Sequence, residues 1–169
     1  MNKQVASLIN EQINKELFSA YLYIDIANFY SDAGLAGFDN WFYVQAQEER
    51  DHAMLFRTYM LNNDEKITLS AVAAPNQTYP DYMTPLKITL AHEQTVTASI
   101  NNIYAVAYQE KDFRAMQFLD WFVKEQGEEE KNSTDLIRKF ELFGADSKGL
   151  YLLDQELGTR VYAAPSLVL

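Results

Sequence analysis

Glu16, Glu49, Glu93 and Glu129 occupy positions that belong, by spacing, to the apolar stripes of four amphipathic segments. The first stripe reads Ile9, Ile13, Glu16, Ala20, Tyr23; the second Phe42, Gln45, Glu49, His52, Phe56. The third reads Leu90, Glu93, Val96, Ile100 and the fourth Phe122, Gln126, Glu129, Ser133. Steps of three and four keep each set on one helical face. An unpaired buried carboxylate costs several kcal/mol, and converging carboxylates also repel one another, so positive charge has to sit between them. Two of the acids belong to i, i+3 pairs, Glu49 with His52 and Gln126 with Glu129. Four carboxylates balance two divalent cations, while His52 and Gln126 add neutral donors. Such a set suits hard or borderline first-row ions such as Fe(II), Fe(III) and Mn(II). Zinc would bind as well and, having no redox chemistry, would inhibit.

The elements that carry these residues are all helical. A first helix is expected from about Asn2 to Tyr30 or Ser31, broken by Ser31-Asp32-Ala33-Gly34, and a second from about Ala36 to Leu61, ended by Asn62-Asn63-Asp64. The third starts between Asp81 and Pro85, with Asp81 or Thr84 as its cap, and ends near Glu110. Lys111-Asp112 connects it to a fourth helix from about Phe113 to Phe143, stopped by Gly144. The stretch Asn63 to Pro80 has two prolines and no helical period. A helix of about 27 residues is about 40 Å long, and an extended chain needs roughly 12 residues to retrace it. The stretch can therefore run the length of a bundle, leaving the second and third helices parallel: two antiparallel hairpins joined by a long crossover. Ser147 to Leu157 reads as a short fifth helix ended by Gly158, and residues 159–169 as an apolar tail without a polar partner face. The whole, 1–169, is expected to be one all-α domain with its bundle at about 2–143.

Composition narrows the chemistry. With no cysteine, thiolate zinc sites, iron–sulfur clusters and disulfides are excluded. A formal charge of -10 argues against nucleic-acid binding and is compatible with drawing in cations. No signal-like apolar run and no membrane-length span is apparent, so a cytoplasmic protein is expected.

The segments Asn10-Glu11-Gln12-Ile13-Asn14-Lys15-Glu16-Leu17, Ala46-Gln47-Glu48-Glu49-Arg50-Asp51-His52, Trp121 to Lys131 and Gly149-Leu150-Tyr151-Leu152-Leu153-Asp154 resemble those of the non-haem bacterial ferritins. The likeness extends from about residue 5 to 157. It implies a ferritin-like four-helix bundle with a short fifth helix, in which Glu16, Glu49 and His52 hold one iron and Glu93, Glu129 and Gln126 serve the second. It further implies ferroxidase activity, Fe(II) being oxidised by O2 or H2O2 and stored as ferric mineral inside a homo-oligomer of 24 subunits. Glu48, Glu125 and Glu128 lie one residue from the ligand positions, about 100° around their helices. They match an accessory third iron site of the family. Tyr23 matches a family tyrosine beside the diiron centre, either orienting a ligand or donating an electron. No haem is expected, because Arg50 stands where bacterioferritin presents its haem-ligating methionine. Two other readings remain: a cage subunit that nucleates mineral without catalysis, and a diiron peroxidase or oxygenase. Because the tail follows every candidate ligand, it is expected to be dispensable for the first turnover.

Overall fold

The computed structural model describes residues 1–169 and contains five helices: α1 (Lys3–Asp32), α2 (Ala36–Asn62), α3 (Thr84–Gln109), α4 (Phe113–Phe143) and α5 (Ser147–Leu157). Each boundary has a local cause. The Asn2 side chain accepts from the amides of Gln4 and Val5 at 2.8 and 3.3 Å and so caps α1. Asp81 accepts from the amides of Met83 and Thr84 at 3.0 and 2.7 Å, placing Pro85 in the first turn of α3, where its missing N–H has no intrahelical role. Asp112 and Asp146 cap α4 and α5. Gly34, at φ +76°, makes the turn from α1 to α2 that a side chain would strain.

Residues 63–83 carry no helix and run along α1 from end to end. Lys3 pairs with Glu65 at 3.2 Å, Asn10 exchanges hydrogen bonds with the Thr68 backbone at 2.8 and 2.9 Å, and Asn14 donates to the carbonyl of Ala71 at 3.1 Å. Further on, the Tyr79 hydroxyl donates to Asp25 at 2.7 Å and Tyr30 donates to the carbonyl of Tyr82 at 2.6 Å. This ladder returns the chain to the far end of the first hairpin before α3 begins, so α2 and α3 run parallel. No helix is long and apolar enough to cross a membrane.

The core is divided in two. One apolar cluster contains Ile9, Ile13, Phe56, Ile100, Ile103 and Phe122; the other contains Leu22, Ile26, Tyr30, Phe38, Phe42 and Leu136. Between them lies a buried polar layer that includes Gln12, Glu16, Gln45, Glu49, His52, Glu93, Gln126 and Glu129. Hydrophobic burial above and below holds the helices together, and that stability carries the cost of the layer.

Helix α5 is anchored by one carboxylate. Asp154 Oδ1 accepts from the amides of Gly37 and Phe38 at 2.8 and 3.0 Å, supplying the cap that α2 lacks from its own N-terminal residue. A Cβ at position 37 would meet the carbonyl oxygen of Asp154 at 1.6 Å, so only glycine permits this approach. Asp154→Ala is therefore expected to cost about 1–3 kcal/mol by orphaning two buried amides. Gly37→Ala should displace α5 altogether, read as loss of protease protection after Phe143 with the bundle's helical content retained.

Candidate metal centre

The four helices deliver their acids to one level of the bundle. Glu16, Glu49, Glu93 and Glu129 are all at most 4% exposed. Ligand atoms of Glu16, Glu49 and His52 lie within 4.8 Å of one another, as do those of His52, Glu125 and Glu129. His52 Nδ1 is 3.5 Å from Glu49 Oε2. On the opposite side Gln126 Nε2 donates to Glu93 Oε2 at 3.1 Å, and the Tyr23 hydroxyl donates to Glu93 Oε1. Glu16 Oε2 is buried without any hydrogen-bond partner, an arrangement that proteins avoid unless the atom has another ligand.

Electrostatics point the same way. Burial, then the charge of Glu49, pushes Glu16 and Glu93 up to about 8. Glu49 and Glu129 are raised too, chiefly by burial and then by neighbouring carboxylates. Without cations the cluster therefore holds protons at neutral pH, and cations entering it would displace them. Tyr23 is likewise raised, by burial first and then by Glu93, and stays a donor to that carboxylate.

Two amides support the acids: Gln12, which lies outside the stripes, and Gln45, which lies on one without an assigned role. Gln12 Nε2 donates to Glu16 Oε1 at 2.8 Å, and Gln45 Nε2 donates to Glu49 Oε1 and Glu129 Oε2 at 3.0 and 2.9 Å. The repeated spacing Gln-x-x-x-Glu, at 12/16 and 45/49, is the signal that could have found them, since i, i+4 side chains meet on a helix. His92 packs its ring edge-on to Tyr23, 6.0 Å between centroids, and its Nε2 is 2.7 Å from Ser19 Oγ.

The structure gathers only part of the expected accessory set. Glu125 joins His52 and Glu129. Glu48 instead pairs with Arg160 at 2.5 Å, and the exposed Glu128 pairs with Lys124 at 3.1 Å through i, i+4 geometry. Tertiary contact and a neighbour on the same helix, which azimuth alone does not register, decided those two. The tail also differs from its expectation. It finds polar partners on α2 and α4, where Tyr162 donates to Asp51 and Trp121 Nε1 donates to Ser166 Oγ at 3.0 Å.

A helical bundle whose buried middle layer gathers carboxylates, one imidazole and amide groups defines a carboxylate-type metal-binding protein. Residues 6–143 match the ferritin-like domain family. The bacterial non-heme ferritin of Campylobacter jejuni is 36% identical over 92% of this chain and 93% of its own. That of Staphylococcus aureus (strain MRSA252) is 35% identical over 96% of this chain and 98% of its own. An engineered closed form of the Archaeoglobus fulgidus ferritin superposes with a TM-score of 0.94 at 37% identity, covering 96% of this chain and 99% of the other. The chain belongs to the ferritin family, and iron storage is its function.

Proposed function

We propose that this ferritin is a ferroxidase. Two Fe(II) substrate ions bind between Glu16, Glu49 and His52 on one side and Glu93, Gln126 and Glu129 on the other. Each ion gives one electron to the oxidant, so one O2 with two protons yields H2O2, or one H2O2 with two protons yields two waters, and the two Fe(III) products move on to mineral. The observation that carries this reading is Glu16 Oε2, buried without a hydrogen-bond partner in a layer of four buried carboxyls, whose ionised forms divalent cations would balance.

The chain's own groups have distinct tasks. The four glutamates neutralise the incoming charge and, on doing so, release the protons that burial makes them hold. His52 and the free Oε1 of Gln126 add neutral donors. Tyr23 fixes the direction of Glu93, and Glu125, beside His52 and Glu129, supplies the start of an accessory third iron site to which Glu48 and Glu128 would contribute once released from Arg160 and Lys124. Tyr23→Phe should leave two metals bound per chain but slow the initial rate by about 10–100-fold, the loss expected when a ligand's supporting hydrogen bond is removed.

Storage further requires a cavity that one bundle of this size does not enclose. We assign the chain to a cytoplasmic homo-oligomeric shell of 24 subunits without haem, nucleic acid or membrane. Large apolar side chains remain exposed at the α4–α5 end, Leu142, Phe143, Tyr151 and Leu152 among them, and are suited to burial between copies. Anaerobic Fe(II) titration followed by O2, with particle size tracked by light scattering, tests both parts. About two fast-oxidising ions per chain in a large hollow particle supports the reading. Iron bound only at the particle surface, or a species of one or two chains, would sink it.

A further inference from the structure

The segment after α5 folds back along the bundle and places a cation beside the carboxylate layer. Asn40 Nδ2 donates to the carbonyl of Arg160 at 3.0 Å, and Leu167 packs against the core cluster that contains Phe122. Between these anchors the Arg160 guanidinium lies over the Trp41 ring, 4.4 Å from its centroid, and Nη1 donates to the Trp41 carbonyl at 3.2 Å. Nη2 donates to Gln45 Oε1 at 2.9 Å and to Glu48 Oε2 at 2.5 Å.

These contacts fix which way the Gln45 amide faces. A guanidinium has donors only, so the atom of Gln45 that meets it must be the oxygen. The amide nitrogen is then directed at Glu49 Oε1 and Glu129 Oε2, one ligand from α2 and one from α4. The reverse orientation would set an oxygen against two carboxylates and an NH2 group against a cation. A second relay on the other side of the site has the same logic. Lys15 Nζ donates to Ser99 Oγ at 2.7 Å, Ser99 donates to Gln12 Oε1 at 2.6 Å, and Gln12 Nε2 donates to Glu16. In both relays a donor-only cation outside the carboxylate layer sets the direction of a buried amide, and the amide sets a ligand.

We propose that Arg160 is a positioning residue of the iron site, acting through Gln45 to hold Glu49 and Glu129 in the orientation that receives metal, so that the C-terminal segment is part of the centre. This rests on those glutamates being iron ligands. The same guanidinium occupies Glu48, so the tail also withholds that carboxylate from any accessory cation. Removing Arg160 accordingly has two effects of opposite sign, weaker binding of the paired ions and stronger binding of a further one. A merely structural anchor would weaken both.

The experiment is anaerobic titration of the assembled apo-protein with Co(II), followed by calorimetry and by visible absorption, on the parent chain, Arg160→Ala, Arg160→Lys, Gln45→Ala and the Arg160→Ala/Gln45→Ala double variant. Failure of the parent chain to take up a tight pair of ions would refute the ligand reading itself, whatever the variants do. With that pair present, Arg160→Ala is expected to weaken it by about 10–100-fold with altered Co(II) bands and unchanged particle size, the usual scale for a ligand's supporting partner. Arg160→Lys, which keeps one donor for Gln45, should restore part of the affinity. The double variant should lose no more than Gln45→Ala alone, because both act on one chain of contacts. Arg160→Ala binding within twofold of the parent, or losses that add in the double variant, would overturn the proposal.

Discussion

Glu49→Ala is expected to abolish the fast phase of Fe(II) oxidation, reducing the initial rate by at least about a hundredfold, the scale of losing a ligand rather than its support. Glu49 lies beside Glu16 and His52, shares the Gln45 amide with Glu129, and its charge raises both Glu16 and Glu93. Its removal leaves His52 without the 3.5 Å partner and leaves the site one negative charge short of two Fe(II) ions. Stopped-flow absorbance on the assembled variant reads the rate, and anaerobic titration the stoichiometry. Retention of the parent rate would refute the assignment of the chemistry to this layer.

Metal-free protein should lose stability as pH rises from about 4.5 to about 8, and bound divalent metal should remove that dependence. Glu16 and Glu93 are pushed up to about 8 in the fold, against an unfolded value near 4.5. Below the unfolded value both states hold the proton and the groups make no difference. Between the two values unfolding releases protons, so each pH unit costs up to about 1.4 kcal/mol for each such group, and above the folded value the loss is complete. Coupling among the four acids makes their losses less than additive. Thermal melts of apo-protein from pH 5 to 8, with and without Co(II), measure this. Glu16→Gln should flatten the apo profile while damaging metal binding, placing stability and activity in opposition at one residue. A Tm that climbs across that range would contradict the raised carboxyls.

Much of the bundle is legible in the sequence because its determinants are local. Asn2, Asp112 and Asp146 stand where caps are needed, Gly144 and Gly158 where helices stop, and α4 and α5 begin and end at the residues their spacing indicates. The layer of acids is legible because a charge on an apolar stripe is costly and requires a reason. Gln12 and Gln45 are harder to recognise. An amide on a half-buried helix is unremarkable until the carboxylate it serves is in place. The tail is harder still, since Arg160 reaches Gln45 and Glu48 across more than a hundred residues and no period announces the contact. Glu48 and Glu128 show what azimuth leaves out: their ion pairs, with Arg160 and with Lys124, are not fixed by position around the helix.

The crossover along α1 has a temporal consequence. It separates two hairpins, α1–α2 carrying Glu16, Glu49 and His52 and α3–α4 carrying Glu93, Gln126 and Glu129. Each hairpin is built from contacts between neighbouring segments and can form early, whereas docking one on the other must await the long connection. Neither half alone encloses a pair of ions. During synthesis, therefore, a nascent chain that has made only its first hairpin holds half of the carboxylate layer, and the layer is complete only once the second half has closed over it.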